Sequence, residues 1–439
     1  MNIDAAAGSI SGVLQQPTAQ AMLNASDDWL LPKRKLAAGE LLEMPLPERK
    51  QEAWRYTSTA FFEEQSFQLA PREPFRALEI SDIEDLLVAE DTYRMVFVNG
   101  HFAPQLSDRL PQMQGLGIET LANGAGTVDA SVREQLASIA PHRHVFEAMN
   151  TALASDGVLL HLAAGTQLDK PLELLHVTVG AEEPTLLHPR HLIVAEAGAK
   201  AQVIERYCPL GESRYFTNAL IEVSLAEGAQ LQHQRLQEES SEAQHISDLH
   251  VRQQAKSDYR LVQASLGGAW SRSDVRLELL GEQARAEVDG LLIASDRQLN
   301  DMHLEVRHVA PGCSSRESVK GILDGKGRIV FDGHIHVARE AQKTDAVLSN
   351  DNLMLSRSAE VDTKPQLEIF ADDVKCSHGT TVGELDQNML FYLRSRGIGP
   401  IQAQRMLCQG FAQQPIDAIQ DEALRERVSR QLAARLGGN

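Results

Sequence analysis

The segment ADDVKCSHGTTVGELDQ, Ala371 to Gln387, holds a thiol and an imidazole two residues apart. On a β-strand, residues i and i+2 share a face, so Cys376 and His378 could serve as two ligands of one metal centre or as a nucleophile with its base. Gly379 is expected to end that strand, and the charged neighbours Asp372, Asp373 and Lys375 favour an exposed, accessible thiol. A packing role for a small thiol beside an uninvolved histidine is the plainer alternative on spacing alone. If the pair binds metal, this chain supplies two ligands where a metal cluster needs about four. The others must then come from elsewhere, and another subunit is one source.

The remaining candidates are weaker. HIHVARE puts His334 and His336 on one strand face, a spacing compatible with ligation but more common in ordinary polar pairs. His303 and His308 are farther apart. Cys208, Cys313 and Cys408 read as small buried hydrophobes or loop thiols. GILDGKGR, Gly321 to Arg328, has no Ser or Thr after Lys326 and fails the phosphate-loop spacing, so it reads as a turn. GxSxG, HExxH and a strand-to-helix GxGxxG are all missing, which leaves no catalytic residue to assign.

Three segments must position these groups. Residues 1–150 mix helical signals with one hairpin, TYRMVFVNGHFAP, whose Asn99-Gly100 pair supplies the positive φ of a tight turn. PERKQEAWRYTSTAFFEE and VREQLASIAPHRHVFEAMNTALA are expected to be solvent-facing helices with one buried stripe. Residues 151–383 consist of short strand-like runs such as PLELLHVTV and LIEVSLAEG, each ended by Gly or acidic residues. A faint unit recurs at Gly198, Gly228, Gly281, Gly327 and Ser358, spaced by roughly 30 to 50 residues, as one or two coils of a strand-and-turn solenoid require. A two-sheet sandwich is the alternative, disfavoured by the lack of long crossing loops. Residues 384–439 turn helical, with Asp386 as N-cap, Leu390 and Leu393 apolar, Gly397 as stop, and an apolar stripe at Leu424, Val428 and Leu432. The expected fold is mainly β: a right-handed parallel β-helix flanked by helical N- and C-terminal domains.

Charge narrows the partners. Across 439 residues, 61 acidic groups against 42 Lys and Arg give a formal charge of −19, which repels phosphate backbones and anionic lipid. Nucleic acid is an unfavoured partner. No run approaches the roughly 20 apolar residues of a bilayer span, and the stretch before Lys33 lacks the charged start and apolar run of a signal peptide. Four cysteines without a CxxC suit a reducing compartment, so a cytoplasmic location is expected.

The run from Lys343 to Phe411, KTDAVLSNDNLMLSRSAEVDTKPQLEIFADDVKCSHGTTVGELDQNMLFYLRSRGIGPIQAQRMLCQGF, closely resembles the end of the SufB/SufD family of iron–sulfur cluster assembly proteins. PERKQEAWRYT, Pro47 to Thr57, resembles the N-terminal signature of its SufD branch, and the length and sparse cysteines point the same way. The resemblance implies a parallel β-helix between helical domains. It implies pairing with SufB through the β-helix and one copy of the ATPase SufC held by the C-terminal helices; self-pairing of the isolated subunit as a homodimer is a further option that the sequence leaves open. Arg394, Arg396 and the Leu424 stripe would then have a docking role. It further implies that a transient iron–sulfur cluster, or iron, is held near the SufB–SufD interface, where the family's cysteine and histidine match Cys376 and His378. The chain would be a non-catalytic scaffold, with ATPase activity in SufC. Reduced flavin in the complex is also implied, although no flavin motif occurs in this chain. The competing readings are an enzyme on a β-helix using Cys376 with His378 or Asp372 with Asp373, a purely architectural subunit, and a SufB-like acceptor of sulfur.

Overall fold

A computed structural model describes residues 9–26, 28–71, 78–122 and 128–435. Its middle is built from strands of about ten residues whose side chains alternate between a dry interior and an outer surface. In Arg328–Val337, for instance, Ile329, Phe331, Ile335 and Val337 are buried in the central core, while Asp332, His334 and His336 face outward. Successive strands alternate between an eleven-stranded and a ten-stranded sheet, and strand pairing along the solenoid is parallel. Asp258 pairs with Arg285, 27 residues on, and Ser314 with Asp345, 31 residues on, so one coil takes about 30 residues. This is a mainly β solenoid of about eight turns flanked by helices. The recurring glycines sit at its corners: Gly198 and Gly228 have φ of +70° and +68°, and a Cβ on Gly327 would lie 2.3 Å from the Ala294 carbonyl oxygen.

The N-terminal residues contribute strands as well as helices. Tyr93–Val98 pairs in parallel with Leu172–Val179 and turns back at Asn99 and Gly100, both at positive φ, into His101–Phe102. Leu116–Thr120 pairs antiparallel with Val158–Leu162. The expected amphipathic helices differ. Val145–Leu153 is buried on every side, against Trp54, Phe62, Phe67 and Phe216. Of the helix expected over Pro47–Glu64, only Ala60–Glu64 is α-helical and Glu52–Trp54 is a short 3-10 turn, because tertiary contacts override helix propensity in the first part. The Arg272 guanidinium lies 3.8 Å from the Trp54 ring centroid, and the Thr57 hydroxyl donates to Asp301.

The three C-terminal helices are Gln387–Ser395, Pro400–Asp417 and Glu422–Arg435. Asp386 caps the first, its carboxylate accepting from the Asn388 and Met389 N–H groups, and Gly397 at φ +85° ends its turn. The other two return to the outer face of the ten-stranded sheet, where Leu236, Val262, Leu291 and Ile293 present apolar side chains outward. Cys408, Ala412, Ile416, Leu424, Val428 and Leu432 cover them. The Leu424 stripe is therefore consumed within the chain, which corrects its expected role as a docking surface. Among the described residues no helix is long and apolar enough to cross a membrane.

Candidate functional site

The solenoid stops at an uncovered rung. Glu360–Ile369 is the last strand of the eleven-stranded sheet and Lys375–Glu384 the last of the ten-stranded one, and among the described residues each is paired along one edge only. Register fixes which way their side chains point. Cys376 stands beside Ala346 and His378 beside Leu348, both core residues, so thiol and imidazole occupy interior positions of a coil that no further coil covers. Cys376 is half-buried and His378 exposed. Phe370, 58% exposed, Ile369 and Val382 leave apolar surface at the same end. Gly379 does not end the strand. It pairs with Ser349 in mid-strand, and pairing continues to Glu384.

The interior face grades from apolar to polar along this rung. The Thr363 hydroxyl donates to Asn350 Oδ1 at 2.8 Å and lies 3.2 Å from the Thr380 hydroxyl, and Asn352 donates to the same Asn350 oxygen at 2.7 Å. Behind His378 and Leu348 in the same column stands Glu317. Burial pushes the Cys376 thiol up, and the carboxylates Asp345 and Glu317 add to the effect against a hydrogen bond at the Ala346 backbone. No hydrogen bond joins Cys376 to His378 among the described residues. A protonated thiol without a base beside it is a poor nucleophile. The two side chains instead point the same way about 7 Å apart along the strand, a spacing that two ligands of one cluster can span.

The other candidates are dispersed. His334 Nε2 lies 3.5 Å from Glu368 and the His336 ring packs on Phe370, both on the outer face. His303 Nε2 meets Asp301 at 3.1 Å. His308 is interior, bonded to the Ser315 hydroxyl at 2.9 Å and pushed down to about 4 by burial. Cys208 lies beside Arg206 and Glu238, Cys313 donates to the Gly281 carbonyl at 3.2 Å, and burial pushes the Cys408 thiol up to about 12. None of these thiols is accessible in the way that Cys376 is. Gly325, at φ +58°, turns GILDGKGR between two strands.

A second surface was not legible from the sequence pattern. With the Leu424 stripe turned inward, the exposed apolar side chains of the C-terminal region are Met389, Phe391, Tyr392, Ile401 and Met406, on the first helix and the start of the second; Phe391 is 74% exposed. Arg394 and Arg396 border them, and the Arg396 guanidinium sits 5.2 Å from the Tyr392 ring centroid. The only hint in the sequence is MLFYL, five consecutive apolar residues that one helix face cannot bury.

Comparison with known proteins completes the description. The model of the SUF system FeS cluster assembly SufBD core domain matches residues 176–411, and that of the SufBD protein N-terminal region matches residues 14–174. The chain is 36% identical over 405 residues to the iron–sulfur cluster assembly protein SufD of Escherichia coli (strain K12), covering 91% of each. It is 32% identical over 436 residues to an iron–sulfur cluster assembly SufBD family protein of Synechocystis, covering 96% of this chain and 95% of the relative. It is 29% identical over 416 residues to the chloroplastic protein ABCI7 of Arabidopsis thaliana, covering 92% of this chain and 86% of that one.

Proposed function

Because this chain belongs to the SufBD family of iron–sulfur cluster assembly proteins and is close to SufD, we propose that it is a non-catalytic scaffold subunit that shares a nascent cluster with a SufB partner and carries the SufC ATPase. The observation that supports this most is the position of Cys376 and His378 on the inner face of a terminal rung whose two strand edges are unpaired. Such edges offer a full row of backbone donors and acceptors, and a second solenoid adding its own edges would cover the apolar end. Ligands from both chains would then converge at the junction. That answers the two-ligand shortfall of one subunit. The same edges suit self-pairing when the partner is absent.

The chemistry of the pair suits cargo that must leave. The Cys376 thiol keeps its proton in the isolated chain, held chiefly by burial with the Asp345 carboxylate adding to the effect, and iron must displace that proton to bind. Thiolate binding therefore follows metal delivery and does not precede it. The His378 imidazole is a weaker ligand for iron than a thiolate, which eases release. The exposed cluster around Phe391 is the surface best suited to SufC, since it is apolar, bordered by Arg394 and Arg396, and uncommitted within the chain. ATP-driven approach of two SufC copies would turn the helices that carry them. Because Pro400–Asp417 shares a core with strands of the ten-stranded sheet, that motion would reach the solenoid as rigid-body shear at the terminal junction.

The experiment is reconstitution of the SufB–SufC–scaffold complex with iron and sulfide, using Cys376→Ser and His378→Ala. Both variants should assemble at normal yield and retain less iron and sulfide than the parent. Full cluster content in both would leave only the architectural reading, which the half-buried packing of Cys376 beside Ala346 independently favours.

A further inference from the structure

At the junction of the buried helix Val145–Leu153 with the outer face of the eleven-stranded sheet, His144, Glu147 and Asp248 each bring one ligand atom to within 4.8 Å of the others. The His144 side chain is 8% exposed and the two carboxylates are 0% exposed. His144 Nε2 already lies 3.2 Å from Asp248 Oδ1. Metal–nitrogen and metal–oxygen bonds of about 2.0–2.2 Å place neighbouring ligands of a tetrahedral ion about 3.4 Å apart, so this edge needs almost no adjustment. Two polar atoms here have no hydrogen-bond partner among the described residues although both are buried: His144 Nδ1 and Asp248 Oδ2. A carboxylate oxygen buried inside a protein calls for a cation or a donor, and among the described residues Asp248 Oδ2 has no donor although its Oδ1 has partners.

The remaining groups are engaged. His250 Nε2 lies 2.8 Å from Glu147 Oε1. Arg276 Nη1 bridges the two carboxylates, 3.4 Å from Glu147 Oε1 and 3.2 Å from Asp248 Oδ1. That guanidinium stands where an ion would bind. It also has other carboxylates within reach, with Nη2 3.3 Å from Asp274 and Nε 3.8 Å from Glu305. Turning toward those two would free the space between Glu147 and Asp248 without leaving the positive charge unpaired.

We propose that His144, Glu147 and Asp248 form a binding site for a first-row divalent transition ion, which exchanges with the Arg276 guanidinium between the two carboxylates. One imidazole with two carboxylates suits ions of the zinc, iron and manganese kind, and His250 orients Glu147 from behind. The ion joins the N-terminal helix to the strand Gln244–Gln253, so it acts as a staple whose occupancy follows metal supply. This site is independent of Cys376 and His378.

The test uses full-length, tag-free protein carrying Cys376→Ser and His378→Ala, which silences the terminal rung. Titration with Zn2+ by calorimetry should give one equivalent bound and a higher melting temperature. His144→Gln and Asp248→Asn should each weaken binding at least tenfold, whereas Arg276→Gln should tighten it at least tenfold by removing the competing charge. Co2+ supplies a second readout that does not depend on stability: its visible absorption should shift on binding to the parent and not to His144→Gln. Zn2+ affinity unchanged in both His144→Gln and Asp248→Asn, or a Co2+ spectrum indifferent to His144, overturns the site. Weaker binding by a folded Arg276→Gln variant overturns the exchange.

Discussion

Glu317→Gln is expected to make the protein more stable, by an amount that grows with pH. Glu317 is 2% exposed and stands inside the solenoid between Val288 and Leu348, and among the described residues neither of its carboxyl oxygens has a hydrogen-bond partner. The Ser315 hydroxyl on the same face is held by His308 at 2.9 Å and, with Arg316, opposes the effect of burial only in part. Burial pushes the carboxyl up to about 8 from an ordinary value of 4.5. Both states are protonated below that ordinary value, so Glu317 carries no penalty there. Between the two values the unfolded chain ionises and the folded chain does not, and stability is lost as pH rises, until the folded group ionises too. One proton over that interval, at about 1.36 kcal/mol per unit, sets a ceiling of about 5 kcal/mol, of which roughly 3 kcal/mol has accumulated by neutral pH. Glutamine keeps the shape and cannot ionise. Urea midpoints followed by circular dichroism from about pH 5 to pH 9 should start close together, separate steadily up to about pH 8 with the variant above, and then level off. Parallel profiles would refute the account of Glu317 as a neutral acid in a dry interior.

Val428→Asp places a carboxylate in the contact between Glu422–Arg435 and the sheet, and should cost about 3 kcal/mol or more and open the C-terminal helices to protease. Limited proteolysis at matched concentration reads this directly, and SufC binding would then be lost as a consequence of unfolding. Phe391→Ala should instead leave the melting temperature within a degree or two while weakening SufC binding about tenfold or more, since a large exposed aromatic at a partner surface contributes about 2 kcal/mol. Gly327→Ala forces a Cβ to 2.3 Å from the Ala294 carbonyl and should lower the denaturation midpoint by the equivalent of about 1–3 kcal/mol.

The solenoid was legible because its signal is local. Alternation in runs such as RIVFDGHIHV states which residues face inward, and glycines mark several of the corners, such as Gly198 and Gly228, whatever lies beyond them. The two-residue spacing likewise put Cys376 and His378 on one face. That this face opens at an end of the stack depends on the absence of another coil, which no short window of sequence records. Leu424, Val428 and Leu432 show the limit of an amphipathic pattern: spacing says that a stripe is buried and not what buries it. The helix expected over Pro47–Glu64 shrinks to Ala60–Glu64 because the anchors of the strap before it, Arg272 and Asp301, lie more than two hundred residues away in sequence. Glu317 was not singled out at all, since a lone glutamate in SSRESV looks like any solvated residue until pairing stacks it between Val288 and Leu348.

The central claim is that this chain supplies ligands to a shared cluster, and a ligand leaves a magnetic signature. The SufB–SufC–scaffold complex should be reconstituted with 15N-histidine only in this subunit, loaded with iron and sulfide, reduced, and examined by pulsed electron paramagnetic resonance. Coordination by His378 predicts 15N hyperfine coupling to the cluster that disappears in His378→Ala and survives in His336→Ala, an outward-facing control. A paramagnetic cluster without 15N coupling, or a coupling that persists in His378→Ala, would contradict it.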